Sequence, residues 1–163
     1  MKRILIVYHT LTGGTRQMAE AAAAGAAQAA SLEVCLERAS ACDPEALRAA
    51  SGYVFACPEN LAAMSGLMKD FFDRCYYPVL EHLQGRPYAT LICAGSDGSN
   101  AARQIDRIAT GWRLRQMAPP LIVCTHAQTP EEILMPKVIG AEDLARCREV
   151  GATLAAGLEL GVF

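Results

Sequence analysis

Four short apolar runs are the feature of the sequence that most restricts its fold. They are rich in β-branched residues, do not alternate with polar residues, and occupy positions 4–8, 53–57, 89–93 and 121–124. Unbroken apolar runs of this length are typical of strands that helices cover on both faces. A fifth run, at positions 32–37, alternates apolar with polar residues and therefore predicts a strand at the edge of the sheet.

Helical segments separate these runs. An alanine-rich stretch predicts a helix over 15–30, and apolar residues at helical spacing predict further helices over 44–50, from 65 to about Pro78, over 101–112 and over 144–158. Strands that alternate with helices predict an α/β fold, a parallel sheet with right-handed crossovers and helices on both faces. We expect a single domain over residues 1–163, with the irregular stretch 125–140 inside it.

Composition and charge exclude several classes of protein. With 52% hydrophobic and 20% charged residues the chain is not of the disordered class. No apolar run approaches the ~18–20 residues of a membrane helix, so we expect no membrane partner. A net charge of -2 argues against nucleic acid as the main partner. The seven cysteines are scattered without a C-x-x-C pair, which indicates free thiols in a reducing cytoplasm and no zinc site.

The segment after the first predicted strand carries the strongest indication of a ligand. In open α/β sheets, ligands bind beyond the carboxyl ends of the strands. Hydroxyls, glycines and a helix N-terminus together favour an anion such as phosphate. The alternative is an ordinary turn in which Thr12 or Thr15 caps the helix. The segment consists of Thr10, Leu11, Thr12, Gly13, Gly14 and Thr15.

Several phosphate-processing sites have no match in the sequence. The G-x-x-x-x-G-K-[ST] and G-x-G-x-x-G motifs are absent, and the first strand ends without a cysteine or paired aspartates. The remaining alternative is a site that binds a phosphate without hydrolysing it, as a bound mononucleotide requires. Two more segments at strand ends, 58–66 and 94–100, are rich in small residues and can offer backbone groups to a flat polar ring. A plain turn is the alternative for the second of them.

Two of these segments resemble a known family. The pattern Thr10-x-Thr12-Gly13-x-Thr15 is similar to the FMN-phosphate loop of flavodoxin-like proteins. Residues 58–73, which contain Met64-Ser65 and Met68-Lys69, resemble the second loop and helix of the WrbA-type and NAD(P)H-dependent FMN reductases. The resemblance implies a flavodoxin-like fold, in which a five-stranded parallel sheet of order 2-1-3-4-5 carries FMN at its switch point.

The resemblance also implies a role for each segment. The threonine segment would hold the FMN phosphate, Pro58, Glu59, Asn60, Leu61 and Ala62 would follow the flavin ring, and Gly95, Ser96, Asp97 and Gly98 would line its other side. FMN would carry the chemistry, with no catalytic side chain and no metal. NADH or NADPH would be the electron donor, a quinone or a similar small molecule the acceptor, and the protein a homo-oligomer.

Two other functions remain open on this fold. A flavodoxin-type one-electron carrier is the first, although carriers of this kind are strongly acidic and stack aromatic residues on the flavin. This chain is near neutral, and positions 59–64 and 95–100 contain no Phe, Tyr or Trp. A flavin-free binding protein is the second, because a fold does not fix a function.

Overall fold

A computed structural model describes residues 1–163. In chain order the elements are β1 (Lys2–Tyr8), α1 (Gly14–Ala26), β2 (Leu32–Arg38), α2 (Pro44–Ala49), β3 (Gly52–Asn60), β4 (Ala63–Met64), α3 (Gly66–Val79), β5 (Pro87–Ala94), α4 (Ser99–Gly111), β6 (Arg115–Gln116), β7 (Leu121–Cys124), α5 (Pro130–Leu134) and α6 (Ala141–Leu160). No helix combines the length and the apolarity that a membrane span requires.

The five strands predicted from the sequence form one parallel sheet. Their spatial order is β2-β1-β3-β5-β7, which confirms the expected 2-1-3-4-5 order and the edge position of β2. Two strands of two residues each were not predicted. Strand β6 pairs with the start of β5, and β4 folds back antiparallel on the end of β3. Strands this short carry no periodic pattern from which they could be predicted.

Helices cover both faces of the sheet, as predicted. Alternate side chains of each strand enter two separate cores, so that Leu5 and Val7 pack with α2, α3 and α4 while Ile4 and Ile6 pack with α1 and α6. Trp112, which follows α4, lies in the first core with 1% of its surface exposed.

Helices α1 and α6 cross with their backbones in contact. A Cβ atom on Gly25 would lie 1.9 Å from the carbonyl oxygen of Arg148, and one on Gly151 would lie 1.9 Å from that of Ala22. Only glycine permits this approach at either position. Helix α6 therefore fixes the placement of α1, whose first turn belongs to the threonine segment.

The structure departs most from the prediction at three places. Helix α1 ends at Ala26 rather than at 30, because the chain must turn back to enter β2 and this overrides the helix propensity of alanine. Strand β3 continues through Pro58, Glu59 and Asn60, which were predicted to be loop residues, because Glu59 and Asn60 pair with β4. The stretch 125–140 contains the short helix α5.

Candidate functional site

The threonine segment forms the turn from β1 into α1. Gly13 is the N-cap of α1 with φ 92°, a left-handed conformation that suits glycine. The hydroxyl of Thr10 accepts a hydrogen bond from Gly13 N at 3.0 Å, and no side chain caps the helix. The alternative that Thr12 or Thr15 serves as the cap is therefore wrong. The amides of the first turn are left without a side-chain acceptor, as an anion site requires.

Thr15 supplies an independent indication of a missing partner. Its residue is 1% exposed, and its Oγ1 atom is buried without any hydrogen-bond partner. A buried hydroxyl in that state costs about 1–3 kcal/mol, so it is normally paired. Because Thr15 lies in the first turn of α1, an anion bound at this helix terminus would meet free amides and a free hydroxyl together. The segment thus fits the phosphate group that the sequence predicted.

A cleft of about 480 Å³ opens at the carboxyl ends of β1, β3 and β5. Its size falls within the range of ~300–1,000 Å³ that is usual for cofactor sites. The predicted site residues that line it are Leu11, Thr12, Pro58, Glu59, Asn60, Leu61, Gly95 and Ser96. The others lie in the same three segments without lining the cleft, namely Thr10, Gly13, Gly14, Thr15, Ala62, Asp97 and Gly98. The fold therefore brings the three predicted segments together at one cleft.

A strained turn stands at the mouth of the cleft. Leu61 and Ala62 connect β3 to β4, and both adopt left-handed conformations, with φ 50° and 62°. Turns of this kind normally use Asn-Gly, since each non-glycine residue in that conformation costs about 1–2 kcal/mol. The side chain of Leu61 is fully exposed beside the cleft. Strain of this kind is typical of functional sites.

Three hydrogen bonds hold the β3–β4 hairpin against α4 and the loop before it. We call their side chains, Glu59, Asn100 and Gln104, the clamp. The bonds run from Gly98 N to Glu59 Oε2 (2.7 Å), from Asn100 Nδ2 to Ala62 O (2.6 Å) and from Met64 N to Gln104 Oε1 (2.9 Å). The clamp fixes the second and third segments relative to each other, so this wall of the cleft is preorganised.

The segment 125–140 forms a further wall that the sequence did not predict. Thr125, Ala127, Gln128, Ile133 and Lys137 line the cleft from this side. The only sequence signal was the length of the segment, since long loops inside compact domains are usually functional.

Residues near Lys137 attach this wall to the threonine segment. Lys137 N donates to Thr12 O at 2.9 Å. The side chain of Gln17 donates to Lys137 O at 2.7 Å and accepts from Ile139 N at 3.0 Å. The ammonium group of Lys137 donates to three carbonyl oxygens at the end of α5, those of Glu132, Ile133 and Met135. The Lys137 side chain is therefore a cation in the lining of the cleft.

The thiols of the chain fit a structural role. All seven cysteines are free, and only Cys35 and Cys124 are not buried. Cys93 lines the cleft, and burial raises the pKa of its thiol to about 11, so it stays protonated near neutral pH. The Sγ atom of Cys93 would lie 2.8 Å from a Cβ on Gly14, which explains a glycine at that position. No three His, Cys, Asp or Glu side chains gather in a group that could hold a metal.

His9 joins the first segment to the start of α3. Its Nδ1 atom lies 2.8 Å from the hydroxyl of Ser65. Burial, with a smaller contribution from the charge of Arg38, lowers the pKa of His9. The imidazole is therefore neutral at neutral pH and acts as a hydrogen-bonding group between two segments of the site.

Comparison with proteins of known sequence gives two partial relatives. A flavodoxin from Aquifex aeolicus is 35% identical over 59% of this chain and 50% of its own length. An NAD(P)H dehydrogenase (quinone) from Acidithiobacillus ferrooxidans is 32% identical over 45% of this chain and 47% of its own length. The chain thus spans about half the length of these relatives.

A solved structure and a family model complete the comparison. The flavodoxin, WrbA-like protein from Agrobacterium tumefaciens superposes with a TM-score of 0.75, at 20% identity, over 98% of this chain and 99% of that chain, which confirms the flavodoxin-like fold. Residues 44–128, just over half of the chain, match the family model of NADPH-dependent FMN reductase. The matched region contains the hairpin of β3 and β4, the clamp and the loop after β5. The chain therefore belongs to the NADPH-dependent FMN reductase family.

Proposed function

We propose that the chain binds FMN in the cleft and catalyses the NAD(P)H-dependent reduction of a quinone or a similar small acceptor. The observation that carries this proposal is the buried, unpaired hydroxyl of Thr15 in the uncapped first turn of α1. Family membership and the quinone dehydrogenase relative support the redox chemistry. In the net reaction, the hydride of NAD(P)H and one proton convert a quinone to a hydroquinone.

The residues of the chain would bind and orient the cofactor, and bound FMN would supply two-electron redox chemistry. The first turn of α1 would hold the phosphate through its free amides and the hydroxyls of Thr12 and Thr15. Residues 58–62 and 95–98 would contact the ring through backbone groups. The clamp keeps these two segments in place, so little conformational freedom is lost on binding.

Small side chains around the cleft favour hydride transfer. None of the residues that line the cleft is aromatic, and Leu61 stands at its mouth. A flavin bound here would keep one face free of stacked aromatic rings. Hydride transfer needs such a face, because donor and acceptor atoms must approach to about 3–3.5 Å.

The same cleft could also serve one-electron transfer, and the flavodoxin relative favours this second candidate. A carrier does not need an open flavin face, because electrons pass through the exposed ring edge. The two functions differ in the species that accumulate on stepwise reduction.

One set of anaerobic measurements tests the proposal. We expect the purified chain to bind FMN stoichiometrically, with mass spectrometry of the extracted flavin showing FMN rather than FAD. NADPH or NADH should bleach the bound flavin in stopped-flow experiments, and dithionite titration should show little semiquinone. A stable semiquinone without reduction by either nucleotide would favour the carrier. A chain that takes up no flavin would refute both.

Assembly is part of the proposal as well. The segment 125–140 exposes apolar side chains next to the cleft, including Leu134 at 66% and Val138 at 91%. An exposed apolar surface of this kind supports a homo-oligomer in which copies of the chain would bury it. Sedimentation velocity should show a species larger than the 17.4 kDa monomer.

A further inference from the structure

A second concave site lies on the other side of the β3–β4 hairpin from the cleft. It is a groove of about 330 Å³ between β4, α3 and α4. The residues that line it are Ala63, Met64, Lys69, Gln104, Arg107 and Ile108. We call it the α3–α4 groove. The groove and the cleft share no lining residue, although Met64 and Gln104 of the groove form one of the three clamp bonds.

The groove combines an apolar floor with cations at its rim. Ala63 and Ile108 supply partly exposed aliphatic surface beside the buried Met64, and a flat heterocycle can cover it. The side chain of Arg107 is exposed and makes no hydrogen bond or ion pair with the rest of the chain. Lys69 pairs only with Asp73, at 2.6 Å, where both side chains are more than half exposed. An exposed ion pair of this kind contributes little to stability, so Lys69 can exchange Asp73 for a ligand phosphate.

The lining of the groove distinguishes between two forms of adenosine. It contains no aspartate or glutamate. In Rossmann dinucleotide sites a carboxylate accepts the hydroxyls of an unmodified adenosine ribose, whereas an arginine accommodates a 2′-phosphate. Arginine suits a phosphate because its planar fork can bind two oxygens at once.

The groove is also placed within reach of the cleft. Ala63 and Met64 follow directly on Leu61 and Ala62, so the hairpin that borders the cleft also borders the groove. A long ligand could lie with one end in the cleft and the other in the groove, passing the exposed Leu61.

We propose that the α3–α4 groove binds the adenosine end of NADPH, with the base on Ala63 and Ile108 and the 2′-phosphate held by Arg107 and Lys69. The nicotinamide end would then lie at the cleft. This inference rests on the proposed function, since it assigns the site and the phosphate preference of the electron donor.

Two fragments test the groove without any turnover. Isothermal titration of the full chain should show tighter binding of 2′,5′-ADP than of 5′-AMP, which lacks the 2′-phosphate. The Arg107→Gln substitution should weaken the binding of 2′,5′-ADP by about five- to ten-fold and remove most of the preference over 5′-AMP. Arg148→Gln is the matched control, because Arg148 is an exposed, unpaired arginine on α6 and the change in charge is the same. Equal binding of the two fragments, or equal effects of the two variants, would overturn the proposal.

Kinetics of the FMN-loaded chain separate this inference from the proposed function. Arg107→Gln should raise KM for NADPH about five- to ten-fold and leave KM for NADH unchanged, with the same flavin content. If NADPH reduces the flavin but Arg107→Gln changes neither this KM nor fragment binding, the groove assignment fails while the function stands. If 2′,5′-ADP binds through Arg107 but no nicotinamide nucleotide reduces the flavin, the groove stands while the function fails.

Discussion

Replacement of Thr15 by valine should change flavin affinity and stability in opposite directions. Valine has nearly the shape of threonine but lacks the hydroxyl that is buried and unpaired in the chain. Removal of an unsatisfied buried hydroxyl relieves part of a penalty of about 1–3 kcal/mol, so the apo-protein should gain about 1 kcal/mol in free energy of unfolding. Urea titration of the apo-protein measures this gain.

The loss of FMN affinity should be larger than the gain in stability. A hydrogen bond to a charged group is worth about 1.5–3 kcal/mol, which corresponds to a Kd for FMN that is about 10- to 150-fold higher in Thr15→Val. Quenching of flavin fluorescence on titration with apo-protein measures Kd directly.

A second threonine of the chain provides the matched control. Thr90, on β5, is 2% exposed, and its hydroxyl is also buried and unpaired. It lies in the middle of a strand rather than in the first turn of a helix, and outside the three predicted segments. Thr90→Val should therefore raise stability by a similar amount and leave FMN affinity unchanged. Loss of apo stability in Thr15→Val with unchanged FMN affinity would show that its hydroxyl serves the fold and not a ligand.

Three further changes test the structure around the site. Gly25→Ala should lower the free energy of unfolding by about 3 kcal/mol in urea titrations, because its Cβ would collide with the backbone of α6. Gly140→Ala should leave the free energy of unfolding almost unchanged, because the added Cβ would have no atom within 4 Å. Ala62→Gly should raise apo stability by about 1 kcal/mol, since it removes a left-handed alanine, whereas Ala63→Gly should not. Because burial lowers the pKa of His9, the unfolded chain binds more protons there than the folded chain, so stability should fall as the pH drops below about 6.5. His9→Gln should flatten this slope when urea titrations are repeated at several pH values.

The sequence predicted those parts of the molecule in which local pattern and tertiary structure agree. The buried strands β1, β5 and β7 are unbroken apolar runs, and the helix over 44–50 has the proline and capping residue that begin α2. The resemblance to a family supplied the strand order. The anion site in the threonine segment was inferred from residue types alone, and it stays a prediction.

The parts that were missed depend on contacts that no local pattern records. Leu61 and Ala62 adopt a turn that their residue types disfavour, and the turn exists because the clamp holds it from α4 and the loop before it. The wall formed by 125–140 depends on a backbone bond between Lys137 and Thr12, which are far apart in sequence. Neither feature can be inferred from residue propensities over a short window.

The dependence of α1 on residues near the other end of the chain has a consequence for biosynthesis. Residues 10–15 are translated well before the groups that position them, which are Lys137, Ile139 and the α6 backbone at Arg148. At about 5–20 residues per second, these groups are translated roughly 6–25 s after the threonine segment. The first turn of α1 therefore reaches its final position late in synthesis, after all the strands of the sheet have been translated.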